Sequence, residues 1–191
     1  MDKLDGSGFK KVTELIDKQT IQTVSLYFEN RINRGEWVQK FENQNSNEAS
    51  KYGYYADPLV EVLLKSCLPA IEQHTGLSLE PSYSFSRVYQ TGEELLAHTD
   101  RKACEITATV NVACTGSEPW SIWMGYKDNT PVECKLNPGD AVIYKGCEVS
   151  HWRKPLPEKQ INAQFMLHYV DKNGPCANFK YDGRPALGLN K

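Results

Sequence analysis

The chain has 191 residues, of which 40% are hydrophobic, and a formal net charge of −2. This length fits one domain with a substantial core, and without an apolar run near ~18 residues no membrane-spanning helix is expected. The weak negative charge gives no electrostatic pull toward nucleic acid, so neither a membrane nor a nucleic-acid partner is expected. Met1-Asp2-Lys3-Leu4-Asp5-Gly6 lacks the apolar segment of a secretory signal. Cys67, Cys104, Cys114, Cys134, Cys147 and Cys176 contain no CxxC pair. A cytoplasmic protein with reduced, mostly buried thiols is therefore expected, with neither a zinc site nor a redox dithiol.

Val12, Leu15, Ile16, Ile21, Val24, Leu26, Phe28 and Ile32 recur at broadly helical intervals, predicting an amphipathic helix from Lys10 to about Asn33. A polar loop follows over residues 43–50. Asp57 and Pro58 supply an N-cap and a first-turn proline for a second helix, and Gly76 closes it. Pro69 inside that helix predicts a kink or break near Cys67. Eight strands are then expected over residues 83–89, 95–100, 105–113, 120–126, 132–136, 141–144, 149–153 and 161–170, punctuated by Gly, Pro, Asn and Asp. In the last strand Ile161, Ala163, Phe165, Leu167 and Tyr169 alternate with Asn162, Gln164, Met166 and His168. The first set is expected to face the helices and the second the interior of a barrel. Residues 174–191 read as a tail wrapped on the surface.

Chemistry concentrates in His98-Thr99-Asp100 and in His151, 51 residues after Asp100. Two imidazoles and one carboxylate can occupy one face of a ferrous ion and leave three positions open. On a strand, His98 and Asp100 project to the same side. An HxD triplet alone is weak, since composition yields one in roughly one such chain in five. Its setting is more specific: an alternating strand follows, and His151 comes just after a turn, Pro138-Gly139-Asp140, that feeds another strand.

From Tyr89 to Asp171 the chain resembles the iron(II)/2-oxoglutarate-dependent dioxygenases of the prolyl-hydroxylase type. Tyr89-Gln90-Thr91-Gly92, His98-Thr99-Asp100, the strand bearing Asn111, Pro138-Gly139-Asp140-Ala141, His151 and His168-Tyr169-Val170-Asp171 carry the resemblance. It implies a mainly β fold with N-terminal helices, a double-stranded β-helix of the jelly-roll, cupin-like kind. The chain would be a single domain over 1–191, with a helical buttress over about 10–76, a β-helix core over about 83–171 and a tail over 172–191. It also implies Fe(II) held by His98, Asp100 and His151, with 2-oxoglutarate and O2 as co-substrates. The expected activity is hydroxylation of a C–H bond in a small molecule or peptide, the Asp100 carboxylate favouring hydroxylation over halogenation.

One position departs from that pattern. Where the family carries an Arg or Lys for the far carboxylate of 2-oxoglutarate, this chain has Asn162. A carboxylate buried without a cation forfeits roughly 1.5–3 kcal/mol of charged hydrogen bonding, so another cation is expected. Arg153, two residues after His151, is the first candidate; Lys145 is the second and Arg87 the third. Tyr89, Asn111, His168 and Asn162 itself, as an uncharged donor, are the remaining co-substrate candidates. His74 reads as a helix C-terminal histidine, and Trp120, Trp123 and Tyr126 as core or cavity-edge aromatics. The competing functions are a non-catalytic jelly-roll binding module and, ranked lower, a nucleic-acid demethylase.

Overall fold

The computed structural model describes residues 4, 6–37, 52–125 and 130–189. Its elements run β1 (Phe9–Val12), α1 (Lys18–Asn33), β2 (Tyr52–Tyr55), α2 (Pro58–Thr75), β3 (Leu79–Gln90), β4 (Leu95–His98), β5 (Ile106–Cys114), β6 (Ile122–Gly125), β7 (Val132–Cys134), β8 (Ala141–Lys145), β9 (Ser150–Arg153) and β10 (Ile161–Asp171). The strands form a six-stranded sheet, β1-β8-β5-β10-β3-β2, and a four-stranded sheet, β4-β9-β6-β7. Every pairing is antiparallel. This is the expected double-stranded β-helix. The loop expected over residues 43–50 and the aromatic Tyr126 lie outside the described residues.

All eight expected strands form, and β1 and β2 join them. β1 corrects the first helix. That helix begins only after Asp17, whose extended backbone and side-chain bond to the Thr20 amide, 3.0 Å, make it an N-cap. Upstream, residues 9–12 pair with β8 at the sheet edge, with Lys10 opposite Ile143. Within α1, Ile21, Val24 and Phe28 are buried while Leu26 is 61% exposed.

The second helix follows the sequence reading except at Pro69. Asp57 accepts from the amides of Leu59 and Val60, and Gly76 ends the helix with φ at 72°. The helix runs unbroken through Pro69, because Val60, Leu64, Cys67 and Ile71 form one buried stripe spanning the missing amide donor. α1 packs against β5, and α2 against β3 and β10.

The main core therefore lies between the helices and the six-stranded sheet, where Phe165, Leu167 and Tyr169 meet Val24, Phe28, Leu64 and Ile71. The two faces of β10 are oriented as the alternation implied, although Ile161 is 45% exposed at the strand's start. A smaller core, including Ile122, Met124, Leu136, Val142 and Val149, fills one end of the space between the sheets.

The C-terminal segment departs from a surface wrap. Arg184 is buried and donates to Glu61 at 2.6 Å and to the Ser82 carbonyl at 3.2 Å. Asp182 receives both arms of Arg101, at 2.7 and 3.0 Å, and the Tyr55 hydroxyl at 2.7 Å. Ion pairs reaching back more than 80 positions fix this segment against α2 and β3, and short polar sequence gave no sign of them.

Candidate metal centre

β4 and β9 bring the three expected ligands together. His98 stands opposite His151 in the register of the four-stranded sheet, and the chain leaves β4 so that Asp100 follows on the same side. Asp100 Oδ1 lies 3.7 Å from His98 Nε2 and 3.6 Å from His151 Nε2. One ligand atom from each residue falls within a sphere of mutual distances of 4.8 Å.

The imidazoles are oriented for coordination. His98 Nδ1 lies 2.8 Å from the Leu96 carbonyl and His151 Nδ1 lies 3.1 Å from that of Val149. A carbonyl only accepts, so each Nδ1 carries the proton and each Nε2 presents its lone pair inward. Burial holds both rings neutral: it lowers the His98 pKa and brings that of His151 to about 4. Burial also raises the Asp100 carboxyl to about 6, with His98 and a hydrogen bond from Thr107 pulling the other way. A dication beside that carboxylate would favour its charged form. The donor set and the tautomers fit a ferrous ion.

Two supporting groups, Thr107 and Gly146, were not legible in the sequence. Thr107 Oγ1 lies 3.1 Å from Asp100 Oδ2 and donates to it. His168 Nδ1 lies 3.0 Å from the same hydroxyl and donates in turn. The Gly146 carbonyl accepts from the Asp100 amide at 2.8 Å, and a side chain at Gly146 would strike the Asp100 carboxylate. Asp100 also clusters with Cys104 and His168. Burial keeps the Cys104 thiol protonated, and Tyr83 occupies it at 3.0 Å, so the histidine pair on Asp100 is the better metal set.

A cavity of about 280 Å³ opens beside the triad, lined by His98, Asp100, His151, Arg87, Tyr89, Gln164 and His168 among others. Tyr89 and His168 thus lie where expected. Asn111, Asn162 and Arg153 do not reach the lining and are buried behind it. Asn162 Nδ2 donates to Asn111 Oδ1 at 2.9 Å, and Asn111 Nδ2 to the Leu136 carbonyl at 2.8 Å. Arg153 lies over the Trp120 ring, 4.7 Å to its centroid, and donates to the Trp120 carbonyl. Burial lowers its pKa to about 10, against the phenols of Tyr89 and Tyr144, which line the cavity. Among the described residues its Nε has no hydrogen-bond partner.

Lys145 is corrected. Its side chain is 39% exposed and pairs with Glu148 at 3.5 Å, because it ends β8 on the outer side of the sheet. Trp123 stacks with Trp152 away from the cavity, their rings 14° from parallel. Trp120 packs edge-on to Tyr89 at 4.8 Å. His74 sits in the last turn of α2, as expected.

No family model and no curated relative matches the sequence. Solved structures do match in fold. A prolyl-4-hydroxylase from Pseudomonas putida aligns over 88% of this chain and 95% of its own, with a TM-score of 0.71 at 15% identity. The non-heme alpha-ketoglutarate-dependent epimerase SnoN of nogalamycin biosynthesis aligns over 98% of this chain and 87% of its own, with a TM-score of 0.72 at 12% identity. A prolyl hydroxylase from Trichoplax adhaerens, in complex with a hypoxia-inducible-factor peptide, aligns over 88% of this chain and 86% of its own, with a TM-score of 0.68 at 13% identity. The double-stranded β-helix is thereby shown, across nearly the full length of both partners.

Proposed function

We propose that the protein is an Fe(II)- and 2-oxoglutarate-dependent oxygenase that hydroxylates a C–H bond of a small molecule or peptidyl residue. The observation that carries this reading is the triad: three ligand atoms within 4.8 Å, with both imidazoles turned so that Nε2 faces the carboxylate. Such a face leaves iron open to a chelating co-substrate and O2. Bound there, iron would let O2 oxidise 2-oxoglutarate to succinate and CO2 and hydroxylate the substrate, one oxygen atom going to each product. The fold neighbours support this, being named as hydroxylases and an alpha-ketoglutarate-dependent epimerase.

The chain's own groups bind and orient. Arg153 stands in for the cation absent at Asn162. Asn162 lies opposite Tyr89 and Cys114 on its neighbouring strands, and the Arg153 charge interacts with those same two residues from the facing sheet. These shared neighbours support a guanidinium that approaches Asn162 from behind the cavity wall, and its Nε, without a partner among the described residues, is the donor offered to the far carboxylate. Tyr89 supplies a hydrogen bond, His168 holds the Thr107 hydroxyl on Asp100 through its Nδ1–H, and the walls of Phe85, Leu95, Ile122 and Met166 exclude water.

Anaerobic Fe(II) titration tests the reading. Wild type is expected to take up one equivalent and to form succinate from 2-oxoglutarate in air. His98→Ala and His151→Ala should lose both while staying folded. A non-catalytic binding module would show no His98-dependent uptake.

A further inference from the structure

The proposed co-substrate needs one cation, yet two guanidinium groups are buried around this cavity. Arg153 is behind the wall. Arg87 is in it, 2% exposed, with its guanidinium 4.0 Å above the Tyr89 ring, and among the described residues neither Nε nor Nη2 has a hydrogen-bond partner. Its neighbour across the strands is Gln164, which also lines the cavity and whose Oε1 has no partner among the described residues. Buried polar groups are normally satisfied, so the two guanidinium donors of Arg87 point to an acceptor from a ligand.

Charge identifies the kind of ligand. Fe(II) brings two positive charges, Asp100 one negative and 2-oxoglutarate two negatives; Arg153 cancels the remainder. Among the described residues lining the cavity, Asp100 and Arg87 are the charged side chains, since His98 and His151 give Nδ1–H to carbonyls and keep Nε2 for the metal, and His168 gives Nδ1–H to Thr107. Arg87 is then one surplus positive charge in a poorly solvated wall, which is costly unless paired.

We propose that Arg87 receives the carboxylate of the primary substrate, making that substrate a small organic monoacid. This rests on the oxygenase reading above. A carboxylate completes neutrality and matches the guanidinium fork. A phosphate ester would overshoot by a charge, and an internal peptide residue without an acidic side chain offers only neutral amides. Size agrees, because about 280 Å³ must hold co-substrate and target together.

The test uses trifluoroacetate as a minimal carboxylate probe on protein loaded with Mn(II) and 2-oxoglutarate, observed through fluorine relaxation induced by the metal. Wild type should give a saturable enhancement that acetate competes away and acetamide does not. Arg87→Gln should weaken it at least tenfold, and Arg87→Lys should retain part, with melting curves confirming that both fold. Calorimetry should show the affinity of Arg87→Gln for 2-oxoglutarate within about twofold of wild type, and that of Arg153→Gln reduced at least tenfold. The proposal is overturned by an enhancement that is absent in wild type or survives in Arg87→Gln, by equal competition from acetamide, or by a tenfold loss of 2-oxoglutarate affinity in Arg87→Gln. The last result would assign Arg87 to the co-substrate and leave the oxygenase reading standing. Failure of wild type to bind Mn(II) at all would remove that reading too.

Discussion

A Cβ atom on Gly146 would lie 2.6 Å from Oδ2 of Asp100 and collide with the Cys104 carbonyl oxygen. The two residues are also joined through the backbone, the Asp100 amide donating to the Gly146 carbonyl at 2.8 Å. The turn after β8 therefore sets how far the carboxylate stands from the two histidines. Gly146→Ala should displace Asp100 and weaken Fe(II) or Mn(II) binding by roughly 10–100-fold, the range typical for loss of a group that orients a ligand. Metal titration with parallel thermal melts checks this; wild-type affinity in a folded variant would refute the positioning role.

Thr107 acts on the same carboxylate from the opposite sheet. Its hydroxyl donates to Asp100 Oδ2 and accepts from His168 Nδ1, so Thr107→Val removes a hydrogen bond on each side with little change in shape. Metal affinity should fall, again by roughly 10–100-fold, while Thr107→Ser should restore most of it. Equal affinities of the Val and Ser variants would show that Thr107 only fills space.

These two residues mark where the sequence stops being legible. His98, Asp100 and His151 could be read because spacing and turn context expose a ligand set, and the strands because alternation is local. β1 was hidden because Val12, Leu15 and Ile16 continue the apolar spacing of α1, and only the cap at Asp17 divides them. Gly146, Thr107 and the tail's contacts depend on strands far apart in sequence meeting across a sheet or between sheets, and no local pattern encodes that. The proposed substitution of Arg153 for the cation absent at Asn162 starts from the sequence: the missing charge is visible there, and strand periodicity puts Arg153 on the face of His151.

The orientation of β10 gives a stability prediction. Phe165 is fully buried between α1, α2 and the sheet, so Phe165→Ala should cost ~3–5 kcal/mol in unfolding free energy. Denaturant titration is the measurement. A change below ~1 kcal/mol would mean that the cavity collapses or that the ring packs less tightly than its burial implies.

The tail makes a second one. Arg184 and Glu61 form a 2.6 Å ion pair with side chains 1% and 4% exposed. Removing the arginine strands a buried carboxylate, and Arg184→Ala should destabilise by ~3–5 kcal/mol. Arg184→Ala with Glu61→Gln should recover part of that loss. If the double variant is no more stable than the single one, the arginine stabilises through packing instead of charge.

Acid should unfold the metal-free protein by a route the buried histidines dictate. Burial lowers the pKa of His168 to about 3 and of His151 to about 4, whereas in the unfolded chain an imidazole titrates near ~6.5. Above that value both rings are neutral in both states, and their contribution to stability does not vary with pH. As pH falls below it, the unfolded chain takes up two protons that the folded chain refuses, so stability falls until the folded values are reached. Each proton contributes a slope of at most ~1.4 kcal/mol per pH unit. Asp100 works oppositely: with its carboxyl raised to about 6 by burial, the folded state takes up a proton the unfolded chain does not, which offsets one histidine above the ordinary carboxylate range. His168→Asn isolates a single ring, and between pH 6 and 5 its stability should decline less steeply than wild type by nearly one proton's worth of slope. Urea titrations across that range measure it, and parallel wild-type and variant slopes would mean that His168 titrates in the folded protein much as it does in the unfolded chain.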